Sequence, residues 1–131
     1  MDIRVTTGHG QLPVTVIYVN GDVDSTTSQD FLVKIEELIF DGARHILIDL
    51  SNVPFISSAG LRAIHNIFNQ LRALHKDADD DALRAVNDGT YKSPNVKLLN
   101  LSEQTNFAFE TAGFDVYIET FTDRDTAINS F

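Results

Sequence analysis

The sequence predicts an α/β domain with a mostly parallel mixed sheet of about five strands and about four helices. Runs rich in Val, Ile and Leu alternate along the chain with segments whose apolar residues recur every three or four positions. Two β-branched runs near the start are close enough in sequence to form a hairpin. A helix follows each later strand, which implies right-handed crossovers between parallel strands. The expected element order is therefore β-β-α-β-α-β-α-β-α.

The first two strands are predicted at residues 3–7 and 14–20. Both runs are β-branched, and the segment between them contains Gly8, Gly10 and Pro13. Glycine and proline interrupt regular strands and favour turns, so the two runs are expected to pair as a hairpin. This pair begins the sheet and supplies its antiparallel edge.

The first helix follows a turn at residues 21–24. The spacing Thr26-x-x-Gln29 is that of a capping box, in which both side chains satisfy free backbone N–H groups. Glycine is favoured just after a helix, so this helix is expected to end at Gly42. The residues that it turns inward are Phe31, Leu32, Ile35, Leu38 and Ile39.

The middle of the chain joins an apolar strand to an amphipathic helix. Residues 46–50 form a run suited to a strand buried on both faces, and Asp49 interrupts it. Pro54 prevents a regular ladder or helix in the following loop. Ser57 and Ser58 are residue types that cap helices, so the helix is expected to begin at about Ser58. Its apolar stripe consists of Leu61, Ile64, Ile67, Phe68, Leu71 and Leu74.

The later part of the chain repeats the alternation of strand and helix. A buried strand is predicted at residues 96–101, and Ser102 is expected to cap the next helix. Gly113 stands at the C-terminal cap position of that helix, and Phe114 is available for the accompanying apolar contact. The helix contains Phe107, Ala108 and Thr111.

The last predicted elements are a short strand at residues 116–118 and a helix that starts at Thr122. Apolar residues recur within this terminal segment at helical spacing. The inner side of the terminal helix is expected to carry Ala127, Ile128 and Phe131.

Residues 76–95 do not fit the alternation of strands and helices. Aspartate, asparagine, glycine, serine and proline dominate the segment, which predicts a long acidic surface loop with one helical turn over residues 82–86. Its alternating aspartates imitate the first ligands of a calcium loop. Ala82 stands where such a loop needs glycine, however, and Asp88 stands where it needs glutamate. We therefore expect a solvated loop and no metal.

Composition limits the classes of function. A chain of 131 residues with 43% hydrophobic and 22% charged residues suits one globular domain. The absence of cysteine excludes disulfides and thiolate catalysis. A formal net charge of -9 argues against nucleic acid as a partner. No apolar run approaches the roughly 20 residues that span a membrane, and no signal peptide begins the chain. A cytoplasmic protein with protein partners and no cofactor is expected.

The segment DLSNVPFISSAGL at residues 49–61 resembles the strand-loop-helix motif of STAS domains, the fold of bacterial anti-sigma factor antagonists. In that motif an acidic residue or serine precedes the phosphorylatable serine, and a small residue, glycine and leucine follow it. GDVD at residues 21–24 is similar to the family's turn before the first helix. LLNLS at residues 98–102 and AGF at residues 112–114 resemble its later strand and helix. The resemblance implies a single STAS domain over residues 1–131.

The resemblance also implies a partner-switching mechanism. An unphosphorylated antagonist binds a serine-kinase anti-sigma factor, the sigma factor is released, the kinase phosphorylates the antagonist, and a phosphoserine phosphatase restores it. Ser58 is the implied phosphorylation site. The family often has aspartate just before this serine, but this chain has Ser57 there. The kinase therefore has two adjacent hydroxyls to choose from, and Ser57 is the alternative site. Partner contacts are expected at Asp22, Asp24, Ser57, Ser58, Ala59, Gly60 and Leu61.

Other interpretations of the same residues stay open. Serine at a helix start is commonly only a cap, aspartate in a turn is commonly only a turn former, and Gly60 can serve close packing alone. A STAS scaffold without switching, or a subunit in a larger signalling or transport assembly, is the alternative function. The domain is expected to be a monomer or a weak homodimer. The loop at residues 76–95 is longer than such domains usually have at that place.

An enzyme interpretation is disfavoured. A serine at a strand-to-helix turn is typical of hydrolase nucleophile elbows. The Gly-x-Ser-x-Gly pattern centred on Ser58 would need glycine at position 56, however, and the residue there is Ile56. The sequence identifies no histidine that a carboxylate holds within reach of Ser58. The histidines, at His9, His45, His65 and His75, are expected to be surface or structural residues.

Overall fold

A computed structural model describes residues 1–74 and 91–131. The strands of this part are β1 Asp2–His9, β2 Pro13–Asn20, β3 Ile46–Asn52, β4 Val96–Leu99 and β5 Thr120–Phe121. They form one sheet in the order β1-β2-β3-β4-β5. The β1–β2 pair is antiparallel, and each later pair is parallel. The predicted sheet with one antiparallel edge is confirmed.

Helices join these strands in the predicted order. The α-helices of the described residues are α1 Ser28–Phe40, α2 Ser58–Leu74, α3 Glu103–Thr111 and α4 Arg124–Asn129. A 3-10 helix at Phe114–Val116 follows α3. The α/β class and the order β-β-α-β-α-β-α-β-α are confirmed. The predicted start of α2 at Ser58 is also confirmed.

The sheet buries apolar residues on both faces, because successive side chains along a strand point to opposite sides. One face packs against α1, α2 and Phe109 of α3 and contains the main core. The other face packs against α4 through Ala127 and Ile128. The sheet residues of the main core include Ile17, Ile46, Ile48, Val96 and Leu98. Those of the second core are Val14, Val16, Leu47 and Leu99.

The predicted capping box at Thr26 and Gln29 is wrong. Helix α1 begins one residue later, with Thr27 at the N-cap and no side-chain cap. The hydroxyl of Thr27 instead donates to the carbonyl oxygen of Asp22 at 2.7 Å. The N–H groups of Thr26 and Thr27 both donate to the carboxylate of Asp24, at 2.9 and 3.2 Å. Asp24 therefore satisfies the N–H of Thr26, one of the two donors that the capping box was expected to satisfy.

The strand predicted at residues 116–118 is also wrong. Gly113 has φ of 81°, in the left-handed region, and ends α3 as predicted. The N–H groups of Val116 and Ile118 then bond back to the carbonyls of Gly113 and Phe114, which closes helical turns in place of a strand. Phe114 contacts the ring of Phe109 with centroids 5.7 Å apart, which is the apolar contact expected of this cap.

The remaining boundaries shift by a few residues. Asn100 has φ of 59°, and β4 ends before it, at Leu99 and not at residue 101. Asp123 caps α4 by accepting from Thr126 N–H at 2.9 Å, so that helix begins at Arg124 and not at Thr122. Leu74, expected on the inner stripe, is 49% exposed at the end of α2. The predicted cap Ser102 is confirmed.

Residues 76–90 of the long loop predicted at residues 76–95 fall outside the described residues. Its aspartates and the helical turn expected at residues 82–86 lie outside them as well. Of the segment, residues 91–95 are described and form neither helix nor strand. Tyr91 is buried against the main core, with its ring centroid 5.9 Å from that of Phe68.

Candidate functional site

The candidate site lies where the parallel strands end. The segments after β2, β3 and β4 all leave the sheet at one edge, because the carboxyl ends of parallel strands lie together. Residues 21–27, 53–57 and 100–102 are these segments. The predicted partner-contact residues fall in the first two segments and in the first turn of α2.

Backbone hydrogen bonds hold two of these segments side by side. Val23 and Ile56 form a parallel bridge beyond the ends of β2 and β3. Val23 N–H donates to the Phe55 carbonyl at 3.1 Å, and Ser57 N–H donates to the Val23 carbonyl at 2.9 Å. Asp22 and Asp24 flank Val23 in sequence. The structure therefore places their segment directly against the segment that leads to Ser58.

The two serines have different environments. Ser57 is half-buried, and its Oγ accepts from the N–H of Gly60 at 3.3 Å, the bond of an N-cap residue. Its carbonyl also accepts from Leu61 N–H at 2.9 Å. Ser58 is the first residue of α2 and is exposed. Within residues 1–74 and 91–131, the Ser58 hydroxyl has no hydrogen-bond partner.

Gly60 lets α2 lie directly on the Val23 segment. A Cβ at this position would be 2.6 Å from the Val23 carbonyl oxygen and 2.6 Å from Cγ1 of Ile56. Neither distance is possible for a real side chain, and the carbonyl oxygen belongs to a paired backbone. Gly60 is buried, so it supports the site from beneath. Ala59 and Leu61 beside it are half-buried.

Asp24 organises the turn before α1. Its Oδ1 accepts from the Thr26 hydroxyl at 2.7 Å, from Thr26 N–H at 2.9 Å and from Thr27 N–H at 3.2 Å. The bond from the Thr26 hydroxyl, followed by that from its N–H, holds the pKa of Asp24 below its usual value of 3.8. Asp22 is exposed, and its carboxylate has no hydrogen bond within the described part of the chain.

Three exposed residues near this edge were missed from the sequence. Arg62 lies one turn after Ser58 on α2 and is exposed. The i,i+4 spacing was a signal for it, since such residues are neighbours on a helix surface. Phe55 is 48% exposed and Phe107 is 73% exposed. An apolar residue normally predicts core, so composition alone gave no signal for these two rings.

Two histidines of the described part, His45 and His65, make contacts away from this edge. His65 Nδ1 lies 3.1 Å from the Tyr117 hydroxyl, and the His65 ring stacks on Phe114 with centroids 5.2 Å apart. His45 contacts the ring of Phe131. Burial raises the pKa of the Tyr117 hydroxyl. Among residues 1–74 and 91–131 there is no group of three or more His, Cys, Asp or Glu that could hold a metal ion.

The sequence matches the model of one protein family. The model of the STAS domain matches residues 2–75 of the chain, more than half of its 131 residues. The chain belongs to the STAS domain family. No curated protein compared with the chain matches it significantly. In the described residues, no helix is long and apolar enough to cross a membrane.

Solved structures of anti-sigma factor antagonists have the same fold. One from Mycobacterium paratuberculosis superposes with a TM-score of 0.71 at 19% identity, over 98% of this chain and 93% of that chain. Unphosphorylated SpoIIAA gives a TM-score of 0.64 at 18% identity, over 98% and 96%. Bacillus SpoIIAA in its phosphorylated form gives 0.63 at 19% identity, over 96% and 97%.

The fold is also similar to that of a protein of another functional class. A sulfate transporter family protein from Wolinella succinogenes superposes with a TM-score of 0.60 at 18% identity, over 88% of this chain and 81% of that chain. At such low identities, likeness establishes the fold that these proteins share.

Proposed function

We propose that this STAS domain is a cytoplasmic anti-sigma factor antagonist that binds a serine-kinase anti-sigma factor until the kinase phosphorylates Ser58. The observation that carries this proposal is the exposed Ser58 hydroxyl at the start of α2, free of hydrogen bonds to the described residues. A phosphoserine phosphatase resets the switch. The domain itself needs no cofactor, since the kinase supplies the nucleotide.

Ser58 is a better acceptor than Ser57. A kinase must bring the hydroxyl oxygen within about 3 to 3.5 Å of the transferred phosphorus, so the hydroxyl must be accessible. Ser57 Oγ is half-buried and caps α2 through Gly60 N–H. The Ser57 oxygen would have to leave this bond to reach a kinase, whereas the Ser58 oxygen has no such bond to the described residues. In the transfer, a base of the kinase takes the proton of the Ser58 hydroxyl, the oxygen bonds to the γ-phosphorus of ATP as the bond from that phosphorus to the bridging oxygen breaks, and ADP leaves.

The domain can carry the new phosphate without refolding. Phosphorylation adds a charge of about -1.5 to -2 at pH 7, and the free N–H groups of a helix's first turn favour an anion. Arg62 is exposed one turn along α2 and has no hydrogen bond to the described residues. Its guanidinium can approach the phosphate across the i,i+4 spacing. The bridge between Val23 and Ile56 fixes the backbone beneath.

The same phosphate lowers the affinity of the domain for the kinase. The kinase active site must cover Ser58 during transfer, and afterwards it holds ADP beside the new phosphoserine. Two phosphates held close together in a site that excludes water repel each other, and stripping water from an unpaired dianion is costly. Asp22, exposed on the neighbouring segment, adds negative charge at this edge. Phosphorylation therefore weakens binding by changing charge more than shape.

Phosphorylation by the cognate kinase tests this proposal. The purified chain is mixed with the serine-kinase anti-sigma factor and Mg-ATP, and the modified residue is mapped by mass spectrometry. Ser58 is expected to carry the phosphate, Ser58→Ala to stay unmodified, and Ser57→Ala to be modified still. Full modification of Ser58→Ala would refute the choice of site. A wild-type chain that no serine kinase of its own organism binds or modifies would refute the switch.

A scaffold or transport-assembly subunit without switching is the second candidate. The fold likeness to the sulfate transporter family protein favours it, since that fold serves a protein of another class. The two functions differ in their dependence on Ser58. If the protein is a scaffold, wild type, Ser58→Ala and Ser58→Asp are expected to bind the partner equally well. If it is an antagonist, only Ser58→Asp is expected to lose binding.

A further inference from the structure

An apolar groove lies beside Ser58, between the β3–α2 segment and α3. Its volume is about 580 Å³. Phe55 and Phe107 form its exposed walls, at 48% and 73% exposure. Its full lining is Phe55, Ile56, Glu103, Gln104, Phe107 and Ala108. Two large aromatic side chains exposed at one groove are typical of an interaction site.

The groove is built on fixed backbone. The Ser102 hydroxyl lies 3.4 Å from the Pro54 carbonyl, and the buried Thr105 hydroxyl lies 3.5 Å from the Val53 carbonyl. These contacts tie the start of α3 to the segment that carries Phe55. Ile56, at the floor, is 4% exposed and is held by its bridge to Val23. A partner would therefore meet a preformed groove, which lowers the entropy lost on binding.

We propose that this groove receives an apolar side chain of the same serine kinase that phosphorylates Ser58, with a basic residue of the kinase opposite Glu103. This inference rests on the proposed function. Phe55 precedes Ser58 by three residues, and Ile56 lies under the first turn of α2 against Gly60. A kinase that brings ATP to the Ser58 oxygen must cover the adjoining segment, so the groove falls within its footprint.

Charge at this edge indicates the chemistry of the partner. Asp22 and Glu103 are exposed, Asp24 is half-buried, and Arg62 is exposed one turn after Ser58 on α2. A partner surface that carries Lys or Arg around an apolar anchor complements this arrangement. Glu103 is on the groove and not on the α2 turn that Ser58 begins. A cation paired with Glu103 therefore adds affinity without depending on the phosphorylation of Ser58.

The groove and Ser58 are expected to make separate contributions to binding. Buried aromatic contacts at an interface centre commonly account for tenfold or more in affinity, roughly 1.4 kcal/mol or above. Phe107→Ser is therefore expected to weaken the kinase complex about tenfold or more in both the wild-type and the Ser58→Ala background. Because the ring is exposed, removing it should leave the fold intact.

The test measures dissociation constants of the purified kinase with ADP by calorimetry for wild type, Phe107→Ser, Phe55→Ser and Glu103→Gln. Phe40→Ser is the matched control, because Phe40 is 91% exposed at the far end of α1. The proposal expects about tenfold weaker binding for the first two variants, a salt-sensitive loss of a few fold for Glu103→Gln, and no change for Phe40→Ser.

The outcomes separate this inference from the proposed function. If Phe107→Ser and Phe55→Ser bind like Phe40→Ser while Ser58→Asp fails to bind, the groove proposal is overturned and the switch stands. If Ser58→Asp binds like wild type, the switch itself fails. Analytical ultracentrifugation of the chain tests whether a second copy occupies the groove instead. A dimer that Phe107→Ser dissociates, with the affinity for the kinase unchanged, would assign the groove to a second copy and overturn the proposal.

Discussion

Ser57 Oγ accepts a hydrogen bond from the N–H of Gly60 at 3.3 Å, and this bond divides the roles of the two adjacent serines. Ser57 caps α2 and is half-buried, whereas Ser58 begins the helix and is exposed. Both are cap-type residues, and the geometry of the turn decides which hydroxyl is used internally. In the proposed switch, the exposed Ser58 hydroxyl is the one that the kinase phosphorylates.

Ser57→Ala is expected to lower the free energy of unfolding by about 1 kcal/mol, because the first turn of α2 loses its side-chain cap. Urea unfolding followed by circular dichroism measures the change. Ser58→Ala serves as the control and is expected to cost less, since the Ser58 hydroxyl has no bond to the described residues. The opposite ranking of the two variants would contradict the assigned roles.

Gly60→Ala is expected to destabilise the domain by about 1 to 3 kcal/mol, since the new methyl group overlaps the Val23 carbonyl. Helix propensity alone would predict the reverse, because alanine is the better helix former. Thermal and urea unfolding measure the sign directly. Asn69→Ala, at an exposed position of the same helix, is the control. A stabilised Gly60→Ala would show that α2 is not pressed against the Val23 segment.

Asp24 is expected to make stability depend on acid pH. Hydrogen bonds from Thr26 lower the pKa of Asp24 in the folded state below 3.8. The contribution is therefore complete above the unfolded-state pKa and is lost as the pH falls through the lower folded-state value. Asp24→Asn keeps an acceptor oxygen but does not titrate.

Urea midpoints measured from about pH 6 down to about pH 2.5, a range that spans the titration of an aspartate, check how stability depends on Asp24. Wild type is expected to lose more stability than Asp24→Asn in the acid part of this range. Asp22→Asn is the neighbouring control, because the Asp22 carboxylate has no hydrogen bond to the described residues. Parallel curves for wild type and Asp24→Asn would contradict the role given to the Asp24 carboxylate.

Lys97 is expected to anchor the end of the chain to the sheet. Its buried ammonium donates to the Ser130 carbonyl at 2.9 Å, lies 4.8 Å from the Phe131 ring centroid, and pairs with Glu119 at 3.4 Å. Lys97→Met keeps the aliphatic stem but loses these contacts, at a cost of about 1 to 2 kcal/mol.

Hydrogen exchange measures this anchoring locally. Amides of α4 are expected to exchange faster in Lys97→Met, whereas those of α2 should change little. Lys34→Met, on α1, is the control. Unchanged exchange in α4 would show that the apolar contacts of Ala127 and Ile128 hold that helix without Lys97.

The sequence predicted the architecture because that depends on patterns that survive without tertiary information. Apolar periodicity and the alternation of strands with helices predicted the sheet and its antiparallel edge, and the cap-type serines predicted the start of α2 at Ser58. Local competition between hydrogen-bond partners was not predictable. Thr26 and Gln29 have the spacing of a capping box, but Asp24 accepts the N–H of Thr26. Ile118 is β-branched and buried, yet its N–H bonds back to the Phe114 carbonyl in a turn and so does not pair with a strand.

The site was predictable in part. Its motif located the Ser57–Ser58 pair, but the choice between two cap-type residues depends on backbone geometry that appears only in the folded chain. The exposure of Phe107 was hidden for a different reason. Helix α3 buries Phe109 and Thr105, and Phe107 lies on its other side. Contact with the β3–α2 segment, and not the number of apolar residues in the helix, decides which side is buried.

The affinity of the kinase for the two phosphorylation states of Ser58 tests the central claim most directly. Stoichiometrically phosphorylated chain and unmodified chain are each titrated with the purified kinase and ADP in a calorimeter. The account predicts that the phosphorylated chain binds about a hundredfold more weakly or worse, with its fold and unfolding midpoint essentially retained. Equal affinity of the two states, with phosphate confirmed on Ser58 by mass spectrometry, would contradict it.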